Sequence, residues 1–430
     1  MESLHDDLAV GAAQALQPDH APEAGAHATS GPSPALPLAG LKVLSVEQYG
    51  AGPFGTQHLA DLGAEIVKIE NMQDGGDIGR HVGPHFLEPG DSHFYEAFNR
   101  NKRSLALNLK APEGREVLRA LAAGADAVFN NLRGDLPGKL GLDFASLGAV
   151  NPALVCVHLS AYGRTGSRAS WPGYDYLMQA EAGYLSVTGE PDGPPARMGL
   201  SIIDLMTGTT AAMALLAGVV EARRTGRGRD YDVSLFDVAL HNLCYVGSWY
   251  LNKGVVTTRE PRSSHPSLTP SQLYRTGDGW IFIMCQKEKF FRILAERVGH
   301  PEWLEDPDFA TFQARLANRP RVNAAIDAAL SVRTTAEWME ILGGTVPVAP
   351  VHDIREALEN GFVHEQERVL DFAHPRHGAI RGIASPVRVA GAAHPVRAAP
   401  DLGQDTDAVL ERAGFSGEAI RGLRERAVVR

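Results

Sequence analysis

Cysteine is scarce in this chain: Cys156, Cys244 and Cys285 are the three in 430 residues, far apart and odd in number. No CxxC pair occurs, so neither a disulfide framework nor a cysteine-built zinc site is expected. Cys156, in the apolar run Ala153–His158, reads as a buried strand residue. Positive charge is also in deficit. Lys and Arg total 41 against 51 Asp and Glu, a formal charge of −10, which argues against nucleic acid or an anionic membrane as main partner. An anionic ligand would need a locally basic pocket. Long apolar runs are missing too: Ala211–Val220 is the longest, too short to span a bilayer and suited to a buried helix. No Lys or Arg precedes Lys42, so the basic region of a secretory signal and the Arg-rich face of a mitochondrial one are both absent, and a cytoplasmic location is expected. Finally, no GxGxxG follows the first expected strand. Gly50-Ala-Gly52 is shorter and lacks the third glycine, which speaks against a dinucleotide site of the usual kind. No HExxH occurs either, and no resident metal is expected.

What is present reads as a globular enzyme. Its 44% hydrophobic and 21% charged residues are ordinary, and the length favours two domains over one core. Residues 1–38, rich in Ala, Pro, His and Gly, read as a flexible extension outside the fold. From Leu41 the pattern alternates: a strand at Leu41–Glu47, a helix from about Phe54 to Leu62 with Pro53 in its first turn, and a strand at Glu65–Glu70. Ser104–Leu109, Ala127–Asn130 and Leu154–Leu159 read as further strands, with a helix at Pro112–Ala123. This rhythm predicts an α/β fold, with a Rossmann-like parallel sheet over 39–250. Ile203–Arg224 reads as one long helix closed by Thr225-Gly-Arg-Gly228. Residues 261–360 read as a smaller α+β domain. Residues 384–430 have strand-then-helix character and are expected to return to the large domain.

Several segments carry a resemblance. They include Gly40-Leu-Lys-Val-Leu-Ser-Val-Glu47, Ala51-Gly-Pro-Phe-Gly-Thr56, Leu62-Gly-Ala-Glu-Ile-Val-Lys-Ile-Glu70 and Phe98-Asn-Arg-Asn-Lys-Arg103 running on to Lys110. Pro172-Gly-Tyr-Asp175, Thr188-Gly-Glu-Pro-Asp-Gly-Pro-Pro195, Val346-Pro-Val-Ala-Pro-Val351 and Leu402-Gly-Gln-Asp-Thr-Asp407 follow in the same order. Together these resemble the class III CoA-transferase family, over nearly everything after residue 39. The resemblance implies an interlocked homodimer with no tightly bound cofactor, acting on acyl-CoA and a small, dicarboxylic acid. A succinyl-CoA-like donor is the expectation.

In Gly199-Leu-Ser-Ile-Ile-Asp204, the resemblance makes Asp204 the nucleophile. An anion at the start of a long helix is favoured by the helix dipole, and a carboxylate can attack a thioester to give a mixed anhydride. Asp is also a common N-cap, so the residues alone leave that role open. Asp175 stands where family transferases have an acid near the nucleophile. Two close carboxylates would raise one pKa; a turn residue after Pro-Gly is the alternative. The matching positions imply coenzyme A contacts from Gly50, Ala51, Leu107, Lys110, Asn131, Leu132 and Lys139, with Asn71 and Tyr174 at the same site and Lys102, Arg103 and Arg133 adding charge nearby. Asn71 and Lys139 replace arginines, and Leu132 a phenylalanine, of formyl-CoA transferase, a member of the family. Arg262, Ser264 and His265 are candidates for the acceptor carboxylate, or part of a plain linker. Tyr174 replaces the histidine of the racemase branch, and a phenol with pKa near ~10 is a poor base at neutral pH. The rival readings are an acyl-CoA isomerase or racemase on the same fold, and a non-catalytic CoA-binding protein.

Overall fold

The computed structural model describes residues 34–430, so nearly all of the extension expected over 1–38 lies outside the described residues. Its centre is a six-stranded sheet: β1 Lys42–Val46, β2 Glu65–Glu70, β3 Arg103–Ala106, β4 Ala127–Asn130, β5 Val155–Ser160 and β6 Asp230–Ser234. The strands lie in the order β3-β2-β1-β4-β5-β6, all parallel, which is the Rossmann arrangement. Alternate residues feed opposite faces. Val43, Ile66, Phe129 and Val157 enter one apolar cluster, while Leu44, Val67, Val128 and Cys156 enter another. With both faces covered, β4 and β5 are buried throughout and carry the apolar runs that such strands require.

The first face is covered by helices α1 (Ala51–Asp61) and α4 (Ile202–Thr225); α2 (Pro112–Ala122) covers the second, and α3 (Asp175–Glu181) packs beside α4. Among the described residues, α4 is the one helix long and apolar enough to cross a membrane, with mean hydropathy 1.6. Half of that stretch is buried inside the protein, where Ile203, Ala211, Leu215 and Val219 join the core. Glycine allows the crossing of α1 and α4. A Cβ on Gly55 would lie 2.4 Å from the carbonyl oxygen of Gly208, and one on Gly208 would lie 2.3 Å from that of Ala51.

A second core forms around β7 Ser271–Arg275, β8 Trp280–Met284 and β9 Val348–Pro350, an antiparallel sheet in the order β9-β8-β7. Helices α5 (Glu288–Arg297) and α6 (Arg319–Leu330) cover it, burying Phe291, Leu294, Ile326 and Leu330 against Ile281 and Ile283. A hairpin, β10 Val369–His374 and β11 Gly378–Ile383, follows. Residues 384–405 form no strand. Helices α7 (Thr406–Arg412) and α8 (Gly417–Glu425) place Val409, Leu410, Ile420 and Leu423 in the core on the second face of the large sheet.

Candidate active site

Strand order reverses direction between β1 and β4, and ligands of such sheets bind outside the carboxyl ends of the strands at that point. Two chain segments meet there. Asn131, just after β4, brackets the loop that follows β1: its Oδ1 accepts the Gln48 N–H at 2.9 Å and its Nδ2 donates to the Gln48 carbonyl at 2.7 Å. Gly52 permits this approach, since a Cβ there would lie 2.7 Å from Asn131 Cγ. Tyr49 has φ of 68°, a left-handed conformation uncommon for a side chain of its size. Its N–H is held by Asp77 Oδ1 at 2.8 Å, and Asp77 Oδ2 receives Lys68 Nζ at 2.6 Å. Beneath the loop, Lys102 Nζ donates to Glu47 at 2.8 Å and to the Pro53 carbonyl at 2.9 Å. Lys102 is therefore a structural cation, correcting the expectation that it adds charge to the ligand site. Burial, partly offset by Glu47, pushes its pKa down to about 8. Arg103 is likewise engaged, with Asp405 and Glu65.

Asp204 occupies the third position of α4, and Ser201 is the N-cap. The N-cap role left open by the residues is thus not the one Asp204 has. The helix start still favours a negative charge, yet the side chain is only 6% exposed. Burial, and secondarily Asp175, raise its pKa to about 7. Gly50 lies directly against it: a Cβ there would sit 3.2 Å from Asp204 Oδ2. Asp175, in the first turn of α3, is buried behind Asp204. Its Oδ2 accepts the Asp204 backbone N–H at 2.9 Å and its Oδ1 accepts Gln179 Nε2 at 2.6 Å. Gln179 Oε1 in turn accepts the Met198 N–H at 2.9 Å. Asp175 here is an acceptor that fixes main chain, and it does not donate a proton to its neighbour.

Asp204 lines a cavity of about 190 Å³ with Tyr49, Gly50, Ala51, Asn131, Leu132, Trp171 and Tyr174. Beside it, a cavity of about 250 Å³ is lined by Asn71, Leu107, Lys110, Leu109, Leu132, Leu136 and Leu140. Gln48 and Leu132 line both, so the two form adjoining compartments, one with Asp204 and one mainly apolar. Of the residues singled out from sequence for this site, Asp175, Lys139, Lys102 and Arg103 line neither. Lys139 is exposed and pairs with Asp135 at 2.7 Å, as does Arg133 at 2.5 Å. Asn71 caps the turn that follows β2, accepting the Gln73 N–H at 3.2 Å. Arg262, Ser264 and His265 are not at this site: Arg262 bonds Glu190 and Asp327, and Ser264 lines a separate cavity with Tyr184 and Cys244. Sequence reasoning passed over Tyr49, whose phenol pKa is raised by burial and then by Asp204, Tyr176 and Tyr174. Its only signal is its place between the first strand and Gly50-Ala-Gly52.

Residues 38–406 match CoA-transferase family III. Succinate–glutarate CoA-transferase of Agrobacterium fabrum is 33% identical over 84% of this chain and 91% of its own length. Succinyl-CoA:mesaconate CoA-transferase of Haloarcula marismortui is 32% identical over 87% of this chain and 96% of its own. The crystal structure of a CAIB/BAIF family protein from Brucella suis superposes with a TM-score of 0.75 at 30% identity, covering 88% of this chain and all of the other. A buried aspartate at the mouth of a Rossmann-like crevice, on a chain so related throughout, defines the class: the protein belongs to CoA-transferase family III. It is an enzyme, a CoA-transferase with CoA thioesters as substrates.

Proposed function

We propose that this enzyme moves coenzyme A from succinyl-CoA, or a close analogue, to a small dicarboxylic acid, with Asp204 as covalent nucleophile. The observation that carries this is the Asp204 carboxylate itself. It is buried yet lines a cavity, its main chain is anchored by Asp175, and among the described residues no side-chain cation pairs with it. Ionised, it attacks the donor thioester carbonyl; the C–S bond breaks, and CoA thiolate leaves behind an acyl-aspartyl anhydride. The thiolate then attacks the aspartyl carbonyl, releasing the donor acid and leaving an aspartyl-CoA thioester. The acceptor carboxylate repeats these steps in reverse order, and Asp204 is restored.

The adjoining apolar compartment lined by Leu107, Leu132 and Lys110 suits the adenine end of coenzyme A, with Gly50, Ala51 and Asn131 nearer the thioester and Asn71 at the rim. Lys139 reaches the ligand only if it leaves Asp135. An interlocked homodimer belongs to the same reading. It is supported by the exposed apolar side chains Met213 and Val220 on α4 and Tyr250 and Leu251 on the helix Cys244–Lys253, which need covering; light scattering on the purified protein tests it. A cytoplasmic location, tested by fractionation, goes with it. So does the lack of a tightly bound cofactor, since a carboxylate attacking a thioester needs no Lewis acid; activity should survive EDTA and dialysis. The decisive experiment incubates the enzyme with succinyl-CoA and a panel of mono- and dicarboxylic acids, reading new thioesters by mass spectrometry. Transfer to monocarboxylic acids alone would overturn the substrate assignment.

A further inference from the structure

A dicarboxylic acid joined to CoA at one end leaves a second carboxylate to be housed near Asp204. The cavity around Asp204 is short of free cations. Arg133 lines it but is bound to Asp135 at 2.5 Å, and Arg168, stacked on Trp171, is paired with Glu181. Arg197 differs. Among the described residues no carboxylate pairs with it. Its guanidinium lies over the Tyr176 ring, 4.1 Å from the centroid, and donates from one terminal nitrogen to the carbonyls of Met198 and Gly199, at 2.9 and 3.1 Å. The other nitrogens remain open, which is the edge a carboxylate takes up bidentately.

Two links tie this guanidinium to Asp204. The next residue, Met198, gives its N–H to Gln179, which donates to Asp175, which holds the Asp204 N–H. On the other side Tyr176, under the guanidinium, follows Asp175 in the first turn of α3, two residues after Tyr174, which lines the Asp204 cavity. Arg197 is thus held against α3, on the short segment that leads into α4 and Asp204.

We propose that Arg197 binds the free carboxylate of the dicarboxylyl group, whether it belongs to the donor thioester or to the acceptor acid. Both occupy the same compartment in turn, so one cation serves both half-reactions. Arg197 is then a specificity-determining residue: it contacts the end of the substrate that does not react. The inference rests on the proposed dicarboxylate chemistry.

The test compares succinyl-CoA with butyryl-CoA, which lacks the distal carboxylate, in wild type, Arg197→Gln and Arg197→Lys. Butyryl-CoA is followed by turnover, or by its inhibition constant against succinyl-CoA where turnover is slow. Loss of a charge-assisted pair predicts that Arg197→Gln lowers the preference for succinyl-CoA roughly 10- to 100-fold, and that Arg197→Lys recovers part of it. Glutarate should weaken as an acceptor or inhibitor in parallel, and butyrate should not. A preference for succinyl-CoA that survives in Arg197→Gln, or an equal loss with both thioesters, overturns the assignment of Arg197. A wild type that shows no preference for dicarboxylyl substrates overturns the substrate reading instead, so the two failures are distinct.

Discussion

The carboxylate of Asp175 accepts the backbone N–H of Asp204 at 2.9 Å, so the two acids are joined through the main chain and do not share a proton. The arrangement separates two tasks. Asp175 spends both oxygens on donors, Asp204 N–H and Gln179 Nε2, and thereby fixes where α4 begins. Asp204 keeps its own oxygens for the cavity, and feels the negative charge of Asp175 behind it.

That charge has a kinetic signature. With Asp204 raised to about 7 by burial and by Asp175, its ionised carboxylate, the proposed nucleophile, is lost as pH falls. The kcat/KM for the CoA donor should drop about tenfold per pH unit below about pH 7. Asp175→Asn removes the charge and sets an amide against one of two N–H donors. The acidic limb should move to lower pH while the plateau falls roughly tenfold or more, the cost of an unpaired buried donor. A pH–rate profile of both proteins decides it; an unmoved limb in Asp175→Asn would sink the electrostatic part.

The same raised pKa predicts that Asp204 destabilises the fold. In the unfolded chain Asp204 ionises near ~3.9, whereas the folded group holds its proton up to about 7. Between those values the folded state binds more protons, so stability falls as pH rises and the whole cost is present above the folded pKa. At about 1.4 kcal/mol per pH unit, Asp204→Asn should be more stable than wild type by roughly 2–4 kcal/mol at pH 8, and by clearly less at pH 5. Urea midpoints at the two pH values test this. An advantage that does not change with pH would contradict it. The same variant should lose transfer, and hydroxylamine trapping during turnover should mark the wild-type peptide containing Asp204.

Close approach of α1 and α4 sets the position of Gly50 against Asp204, so glycine there is predicted to matter more than helix propensity. Gly208→Ala gains about 1 kcal/mol of intrinsic propensity, but its Cβ would lie 2.3 Å from the Ala51 carbonyl. Backbone cannot swing away as a side-chain tip can, and overpacking of this kind costs about 1–3 kcal/mol or more. Destabilisation should win, with loss of activity. Gly422→Ala on α8 is the contrast: its nearest neighbour is the Arg426 guanidinium at 3.3 Å, a flexible group, so a gain of up to about 1 kcal/mol is expected. Thermal melts of the pair are the measurement.

The parts of this molecule legible in the sequence are those written in apolar pattern. β2 and β4 have the bounds expected of them, and β1, β5, α1, α2 and α4 differ by a few residues at their ends. β6 was not legible, because Asp230-Tyr-Asp-Val-Ser234 sits half-buried at a sheet edge and carries polar residues that read as loop. Cations mislead for a related reason. Lys102 and Arg103 look like free charge in sequence, and only the fold brings Glu47 and Asp405 to them. Asp204 was singled out through its motif, while its main-chain contact, an N–H reaching Asp175 from 29 residues away, leaves no trace in either local pattern. Tyr49 is missed because a left-handed tyrosine is imposed by Asp77 and Lys68, which lie on other elements.

Tyr174 supplies the prediction that separates transfer from epimerisation. Racemisation of a 2-methylacyl-CoA needs a base and an acid on opposite sides of the α-carbon. Asp204 is retained on one side, but the position matching the partner base of the racemase branch is a phenol. Tyr174 lines the Asp204 cavity and is 63% exposed, with its ring edge-on to Tyr49 at 6.3 Å. A phenol is a poor general base toward a weakly acidic α-proton at neutral pH. Wild-type enzyme incubated with 2-methylacyl-CoA in deuterated water, with no acceptor acid, should therefore show negligible α-deuterium by mass spectrometry, while the same preparation exchanges CoA with added acid. Rapid deuterium incorporation under those conditions would place α-proton chemistry at this site and make Tyr174 its base.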